Sequence, residues 1–393
     1  TTAGMFLGAL VGGIIGDKTG RRNAFILYEA IHIASMVVGA FSPNMDFLIA
    51  CRFVMGVGLG ALLVTLFAGF TEYMPGRNRG TWSSRVSFIG NWSYPLCSLI
   101  AMGLTPLISA EWNWRVQLLI PAILSLIATA LAWRYFPESP RWLESRGRYQ
   151  EAEKVMRSIE EGVIRQTGKP LPPVVIADDG KAPQAVPYSA LLTGVLLKRV
   201  ILGSCVLIAM NVVQYTLINW LPTIFMTQGI NLKDSIVLNT MSMFGAPFGI
   251  FIAMLVMDKI PRKTMGVGLL ILIAVLGYIY SLQTSMLLIT LIGFFLITFV
   301  YMYVCYASAV YVPEIWPTEA KLRGSGLANA VGRISGIAAP YAVAVLLSSY
   351  GVTGVFILLG AVSIVVAIAI ATIGIETKGV SVESLSIDAV ANK

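Results

Sequence analysis

The sequence has few charged residues for its length. Of 393 residues, 12% are Asp, Glu, Lys or Arg, about half the roughly 25% of soluble domains, and the mean hydropathy is +0.78. It has one histidine and four cysteines, and the cysteines lie in apolar segments without metal-ligand spacing. This predicts no metal site, cofactor or disulfide framework. The phosphate loop Gly-x-x-x-x-Gly-Lys-Ser/Thr is also absent. These absences disfavour an enzyme or an ATP-driven pump and indicate a protein in lipid.

Apolar segments recur along the whole chain. A transmembrane helix needs about 20 mostly apolar residues. We therefore predict an all-α polytopic membrane protein with eleven helices, at 1–16, 23–41, 47–70, 82–106, 113–136, 199–226, 236–257, 264–282, 286–311, 325–349 and 351–374. The first segment is short and the chain does not begin with Met, so we expect that an N-terminal part is missing.

The 28 Lys and Arg residues lie almost entirely in alternate gaps. Arg115 and Lys233 are the exceptions in the opposite gaps. By the positive-inside rule, this asymmetry places the central loop 137–198 and the tail 375–393 in the cytoplasm. The net charge of +8 thus lies in short clusters and not along one polar face, which disfavours a nucleic-acid partner.

The central loop has its own organisation. Apolar residues in 149–163 have the spacing of an amphipathic helix lying on the cytoplasmic face. The polar, Pro-rich stretch 170–187 predicts a linker.

An internal repeat divides the chain into two halves. A charged loop at 16–22 recurs at 258–263. Glu-x-x-Pro followed by Arg-Gly occurs at 72–80 and again at 314–324, and a glutamate ends each half, at Glu138 and Glu376. We therefore predict a first half at 1–136 and a second at 199–374. The second half has six spans and the first has five, so the intact protein should have six plus six, with the first helix missing.

Four motifs resemble those of the major facilitator superfamily. They are Gly-x-x-Gly-Asp-Lys-x-Gly-Arg-Arg at 13–22, Arg-x-x-x-Gly-x-Gly-x-Gly at 52–60, Pro-Glu-Ser-Pro-Arg-Trp-Leu at 137–143 and Glu-Thr-Lys-Gly at 376–379. The last two resemble the branch of sugar porters and organic-ion transporters. The resemblance implies two six-helix halves around a midplane cavity that opens alternately to each side.

Within that branch, the chain departs from the sugar porters. The segment 311–326 looks more like that of bacterial aromatic-acid, nicotinate and organic-ion carriers. The paired glutamines that sugar porters place in the seventh helix are absent, and Asn211 and Gln214 are the nearest polar groups. These departures disfavour a simple sugar as the substrate.

The charged residues of the repeat are candidates for a cytoplasmic gate. Arginine forks suit carboxylates, and such pairs would close the cytoplasmic side and break when the halves move. The alternative is a set of solvated topology signals. The candidates are Asp17, Arg21, Glu72, Arg79, Glu138 and Arg141 in the first half, and Asp258, Arg262, Glu314, Arg323 and Glu376 in the second.

Four ionisable residues lie within predicted spans, where they are functional candidates by default. Glu29 and His32 share a helix face at i, i+3 and form either a proton relay or a hydrogen-bonded packing pair. The resemblance implies that Arg52 pairs with an acid on the first family helix. These three residues are our candidates for proton coupling. Arg333 has no acid within a turn of its own helix.

Arg333 is also the first substrate-binding candidate, because a cavity arginine suits a carboxylate. The alternative is a structural role with backbone carbonyls. The other candidates form one stripe on a helix, and they are Asn211, Gln214, Tyr215 and Asn219. Tyr301, Tyr303 and Tyr306 are ambiguous, since tyrosine is also common at membrane interfaces.

Together these features predict a secondary transporter for a small polar metabolite. We expect an organic carboxylate, proton coupling and a monomer in the lipid bilayer of a bacterial inner membrane, with the C-terminus in the cytoplasm. The alternatives are a sugar or polyol porter of the same fold and, in another class, a channel or a transporter-like receptor.

Overall fold

The computed structural model describes residues 1–73, 79–168, 170–171, 188–257, 259–283, 285–316 and 320–378. The side chains of 13, 14, 17, 67–73, 79–84, 141, 145, 188, 321 and 322 lie outside the description. Within the described ranges every regular element is helical. The helices are α1 Thr2–Thr19, α2 Arg21–Ala40, α3 Met45–Tyr73, α4 Arg79–Asn91, α5 Ser93–Leu104, α6 Ala110–Tyr135, α7 Pro140–Ser145, α8 Tyr149–Thr167, α9 Tyr188–Leu191, α10 Gly194–Thr227, α11 Leu232–Met243, α12 Gly245–Val256, α13 Arg262–Ser281, α14 Met286–Cys305, continued by a π-helical turn Tyr306–Tyr311, α15 Val312–Glu314 and α16 Lys321–Ile373.

All eleven predicted segments are helical, with three differences in continuity. The segments 325–349 and 351–374 form the single helix α16, which is interrupted at Gly351 with φ 65° and ψ −161°. The segment 82–106 divides into α4 and α5, and 236–257 divides into α11 and α12. Each break lies just before a proline, Pro95 or Pro247. Proline cannot donate a backbone hydrogen bond and is tolerated in the first turn of a helix.

Eight helices of the described chain are long and apolar enough to cross a membrane, judged by length and composition. The predicted amphipathic helix at 149–163 is present as α8. The predicted linker 170–187 lies almost entirely outside the described residues.

The chain forms two compact units. The first comprises 1–82 and 108–182, and the second comprises 83–107 and 183–393. The segment 83–107, assigned to the first half by the repeat, packs within the second unit. Since the predicted halves are defined by the repeat and the units by packing, the halves at 1–136 and 199–374 stay a prediction.

In the first unit, α1 and α2 pack on α3, and α2 also packs on α6. Glycines bring α1 and α3 together. A Cβ at Gly4 would lie 2.1 Å from the Phe53 carbonyl oxygen, and one at Gly60 would lie 2.1 Å from the Met5 carbonyl oxygen. Small residues that let two backbones approach this closely are typical of helix contacts in membranes.

In the second unit, α10 packs along α16, α12 along α14, and α5 on α11. Its core includes several fully buried aromatic side chains. They include Phe225, Tyr301, Tyr303, Tyr306, Tyr311 and Trp316.

Candidate substrate and coupling sites

The first charge cluster, which comprises Arg21, Arg22, Glu138 and Ser139, lies at the start of α2. Backbone N–H groups of Arg21 and Arg22 donate to the Glu138 carboxylate at 2.6 and 3.3 Å. The N–H of Ser139 donates to the same carboxylate at 3.0 Å. The first N–H groups of a helix have no partner within the helix, and its N-terminus favours a negative charge. Glu138 therefore holds the chain after α6 against the start of α2.

The second charge cluster, which comprises Arg262, Lys263, Glu314, Glu376 and Thr377, repeats this contact at the start of α13. Backbone N–H groups of Arg262 and Lys263 donate to Glu376 at 2.8 and 3.2 Å. The Arg262 guanidinium also donates two hydrogen bonds to Glu314, at 3.1 and 3.2 Å. The Thr377 hydroxyl donates to Glu314 at 2.6 Å. The second cluster thus ties the start of α13 and the end of α15 to the chain after α16.

The pKa of Glu376 is lowered from its ordinary value. Desolvation is the largest single influence and acts to raise it. The N–H groups of Arg262, Lys263 and Lys378 and the Arg262 charge outweigh desolvation. The folded protein therefore favours the carboxylate form of Glu376.

The described contacts of the gate candidates join elements within one unit. Both partners of each pair in the two clusters belong to the same unit. In the first cluster, the hydrogen bonds to Glu138 given for the described residues come from backbone groups. Arg323 is half-buried and has a partner. The remaining candidates have side chains or whole residues outside the description, and they are Asp17, Glu72, Arg79, Arg141 and Asp258. Their gating role stays a prediction.

The ionisable residues of the first unit lie on α2 and α3. Glu29 is 7% exposed, and its Oε2 is buried without a hydrogen-bond partner among the described residues. His32 lies one turn further along α2. Its Nδ1 is also buried without a hydrogen-bond partner among the described residues. Arg52 is exposed on α3. Burial therefore separates Glu29, which lies inside the unit, and the half-buried His32 from Arg52, which is exposed.

The predicted polar stripe lies on α10 in the second unit. Asn211 is buried, and its amide nitrogen donates to the Leu207 carbonyl at 2.7 Å. Gln214 and Tyr215 are half-buried, while Asn219 is exposed. The stripe therefore runs from the core of the unit to its surface, and Asn211 already uses its amide donor within its own helix.

Arg333 lies on α16 where this helix contacts the stripe. A Cβ at the preceding Gly332 would lie 3.1 Å from the Asn211 amide nitrogen, and one at Gly336 would lie 3.2 Å from the Tyr215 ring. The side chain of Arg333 is half-buried. It makes no hydrogen bond or ion pair with another described residue.

Sequence analysis missed polar residues of α5 and α11 that lie beside the stripe. The rings of Tyr94 and Tyr301 are 5.2 Å apart at an angle of 62°, and both hydroxyls lie near Gln214. One turn from Tyr94, the Ser98 hydroxyl accepts from the Asn239 amide at 3.3 Å. The signal that would find these residues is a polar side chain within an apolar segment, which the Tyr94, Ser98 and Asn239 positions share.

Comparison with protein-family models matches residues 1–389 to the sugar (and other) transporter family. Among curated proteins, the inner membrane metabolite transport protein YdjE of Escherichia coli K12 is 45% identical over 385 residues. The match covers 98% of this chain and 84% of that protein. The niacin transporter NiaP of Acinetobacter baylyi is 26% identical over 385 residues, and the match covers 98% of this chain and 85% of NiaP.

Among solved structures, the xylose transporter XylE of E. coli in a partially occluded inward-open conformation matches with a TM-score of 0.76. It is 18% identical, and the match covers 97% of this chain and 87% of that one. Another structure of XylE, described as a major facilitator superfamily proton:xylose symporter, matches with a TM-score of 0.68, 19% identity and coverage of 98% and 87%. At these identities the likeness concerns the fold.

Proposed function

The chain belongs to the family of sugar (and other) transporters, and we propose that it carries a small organic carboxylate across the membrane by alternating access, coupled to protons. Family membership, the 45% sequence identity with a metabolite transporter and the major facilitator fold confirm that it is a membrane transporter and not an enzyme. The substrate class and the coupling are the proposal.

Arg333 carries the proposal for a carboxylate. It lies in a membrane-spanning helix, next in sequence to Gly332, which packs against Asn211, and its guanidinium has no partner among the described residues. A charge in this position is costly in lipid, so a partner is expected when the carrier is loaded. A carboxylate accepts two hydrogen bonds from an arginine fork at once. Niacin, which names the relative NiaP, is itself a carboxylic acid.

The test compares acids with neutral analogues in a ligand-dependent thermal-stability screen of the purified protein. Replacing Arg333 with Lys keeps the charge and removes the fork, so binding of the acid should weaken about 10- to 100-fold. A polyol should be affected only slightly. Arg165→Lys on the surface helix α8 is the matched control. If only neutral sugars bind and Arg333→Lys binds them as wild type does, the carboxylate proposal is wrong.

A sugar or polyol porter is the second candidate. Gln214, Tyr94 and Tyr301 are neutral hydrogen-bonding groups that suit hydroxyls, and the fold is like that of a xylose transporter. The same screen separates the two, because a neutral substrate does not need Arg333.

Alternating access is tested by counterflow in proteoliposomes. A carrier exchanges labelled for unlabelled substrate across the membrane without net movement, whereas a channel does not. Uptake of label against a preloaded unlabelled acid therefore supports a carrier, and flux unaffected by preloading supports the channel alternative.

Glu29 supports the proposal of proton coupling. An intramembrane carboxyl with one buried, unpartnered oxygen is suited to gain and lose a proton, and His32 on the same face provides a neighbouring base. We expect Glu29→Gln to abolish accumulation driven by a pH gradient and to keep counterflow, because exchange of the loaded carrier does not need deprotonation. The control is Glu111→Gln at the start of α6. Accumulation at the wild-type level in Glu29→Gln would exclude Glu29 from proton coupling. Glu29 and His32 would then form a packing pair, and Arg52 would be the next coupling candidate to test.

The proposed setting is a bacterial inner membrane with the C-terminus in the cytoplasm and the carrier as a monomer. The distribution of Lys and Arg supports this orientation, and the relative YdjE is named as an inner membrane protein. A C-terminal fusion to a reporter that is active only in the cytoplasm tests the orientation, and loss of reporter activity would reverse it.

A further inference from the structure

A cavity of about 370 Å³ lies in the first unit, between the start of α2 and the surface helix α8. Its charged lining residues are Arg22, Arg148 and Lys154 together with Glu138 and Glu151, and the other lining residues are uncharged. Three positive and two negative side chains give the lining a formal charge of +1. Small-ligand sites usually have volumes of about 300 to 1,000 Å³. The cavity is therefore large enough for a ligand, and its charge favours an anion.

The two carboxylates of the cavity already have partners. Glu138 accepts the backbone N–H groups that open α2. Glu151 accepts two hydrogen bonds from Arg148, at 2.7 and 2.6 Å. Since this ion pair balances Arg148, the positive side chains that remain for a ligand are Arg22 and Lys154.

Arg22 and Lys154 come from distant parts of the chain and line the same cavity. The Nη2 of Arg22 donates to the Trp133 carbonyl, but its Nε is buried without a hydrogen-bond partner among the described residues. Lys154 is exposed on α8 and makes no hydrogen bond or ion pair with another described residue. Two cations at one cavity repel each other, and a buried donor without a partner is destabilising. A bound anion removes both costs.

The position of the cavity indicates which anion it meets. It lies where α2 begins and α6 ends, and both helices are long and apolar enough to cross a membrane. Near the end of α6, Trp133 is 62% exposed and Tyr135 is 70% exposed. Exposed Trp and Tyr are typical of the membrane–water interface, so the cavity lies at the level of the lipid headgroups. Basic pockets at this level of membrane proteins bind phosphate-containing headgroups.

We infer that this cavity binds a phosphate group, which accepts hydrogen bonds from Arg22 at the start of α2 and from Lys154 on α8. Both side chains are suited to phosphate oxygens, and the single negative charge of a phosphodiester balances the formal charge of the lining. The phosphate belongs either to a lipid headgroup or to a soluble phosphate ester. Bound there, it joins the helix of the central loop to the first charge cluster. The site involves neither Arg333 nor the substrate.

The test gives the purified full chain two phosphate probes, each with a phosphate-free analogue, at one fixed ionic strength. The lipid probe is phosphatidylglycerol in dodecyl maltoside micelles, compared with galactosyl diacylglycerol and measured by native mass spectrometry. The soluble probe is glycerol 3-phosphate, compared with glycerol and measured by thermal stability. Arg22→Gln should weaken phosphate binding about tenfold, the effect of one hydrogen bond to a charged group. Lys154→Gln should weaken it about threefold, because the lysine is exposed.

Two control variants each remove one positive charge outside the cavity. Arg157→Gln does so on the same helix α8, where Arg157 pairs with Glu153 at 2.5 Å. Lys263→Gln does so at the position in the second cluster that corresponds to Arg22. Both variants should keep the wild-type affinity for phosphate. Lys154→Gln replaces an exposed side chain and keeps the test decisive if Arg22→Gln does not fold, as judged by size-exclusion chromatography.

The outcomes identify the source of the phosphate or exclude the site. Binding of phosphatidylglycerol that both cavity variants weaken and both controls keep supports a headgroup site, and the same pattern with glycerol 3-phosphate alone supports a soluble ester. If Arg157→Gln weakens binding as much as Lys154→Gln, the attraction is to diffuse surface charge and the site is excluded. It is also excluded if neither probe binds more tightly than its phosphate-free analogue, or if both cavity variants bind as wild type does. None of these outcomes affects the proposed carboxylate site.

Discussion

The two charge clusters share one contact and differ in what surrounds it. In the first, Glu138 accepts the N–H groups that open α2, and in the second, Glu376 accepts those that open α13. The residue before the helix differs. It is Gly20 with φ 95° in the first unit and Pro261 with φ −56° in the second. The same carboxylate contact is thus reached through two different backbone conformations.

The comparison shows which part of the repeat is required by the fold. The carboxylate at the helix start is common to both units and satisfies groups that every helix leaves unpaired. The bidentate pair of Arg262 with Glu314 is described in the second unit, while the corresponding Glu72 has its side chain outside the description. The following four predictions test this comparison.

Arg262→Ala should have the largest effect. Arg262 is 5% exposed, and its removal leaves Glu314 without the fork that it accepts from. The Arg262 side chain is 7% exposed and the Glu314 side chain 34%, so the cost comes from the lost hydrogen bonds to a charged group, about 3 kcal/mol for the two. We expect that loss in unfolding free energy, measured by denaturant titration in mixed micelles, together with a fall in transport rate. Arg262→Lys, which keeps the charge, should lose less. Wild-type stability in both variants would show that the pair has no structural role.

Gly20→Ala should have the next largest effect, in the first unit. A Cβ there would lie 2.3 Å from the Glu138 Oε2, and a φ of 95° is unfavourable for any other residue. We expect a loss of about 2 kcal/mol, measured in the same titration. Pro261→Ala is the matched control and should lose less than half as much, because its φ is an ordinary one. Equal losses in the two variants would contradict the difference between the clusters.

Glu138→Ala and Glu376→Ala should have similar, smaller effects. Each removes the acceptor of the N–H groups at a helix start, an interaction of about 1 kcal/mol. Glu161→Ala on the exposed face of α8 is the control for the loss of a surface carboxylate. A large difference between the two variants would mean that the clusters are equivalent in position and not in energetics.

The smallest expected effect is on acid stability. Because the pKa of Glu376 is lowered in the folded protein, its contribution is present above the unfolded value of about 4.3 and is lost as the pH falls through the folded value. The melting temperature should therefore fall more steeply below about pH 4.3 in wild type than in Glu376→Gln. Parallel curves for the two proteins would exclude this contribution.

Much of the architecture follows from the sequence. The spans and the amphipathic α8 were predictable because length, apolar content and helical spacing are local properties. The carboxylates Glu138, Glu314 and Glu376 and the arginine Arg262 were candidates from the sequence, since their order recurs in the two halves. The repeat predicts side-chain arginines as donors to Glu138, and this stays a prediction. The structure adds the backbone N–H groups of Arg21 and Arg22, because a helix start next to Gly20 offers unpaired donors at close range.

The residues of the candidate sites also divide into those that the sequence indicates and those that the tertiary structure places beside them. Gln214 and Arg333 were found from the sequence because a polar residue in an apolar span is conspicuous. The positions of Tyr94 and Asn239 beside them were decided by the tertiary structure, since 83–107 packs within the second unit and brings α5 onto α11 and against Tyr301 of α14. The sequence by itself thus determined the membrane helices, the repeat and the polar residues that lipid disfavours. Only the packing of distant helices decided which of these residues lie together, because a contact depends on distances between segments that no local pattern contains.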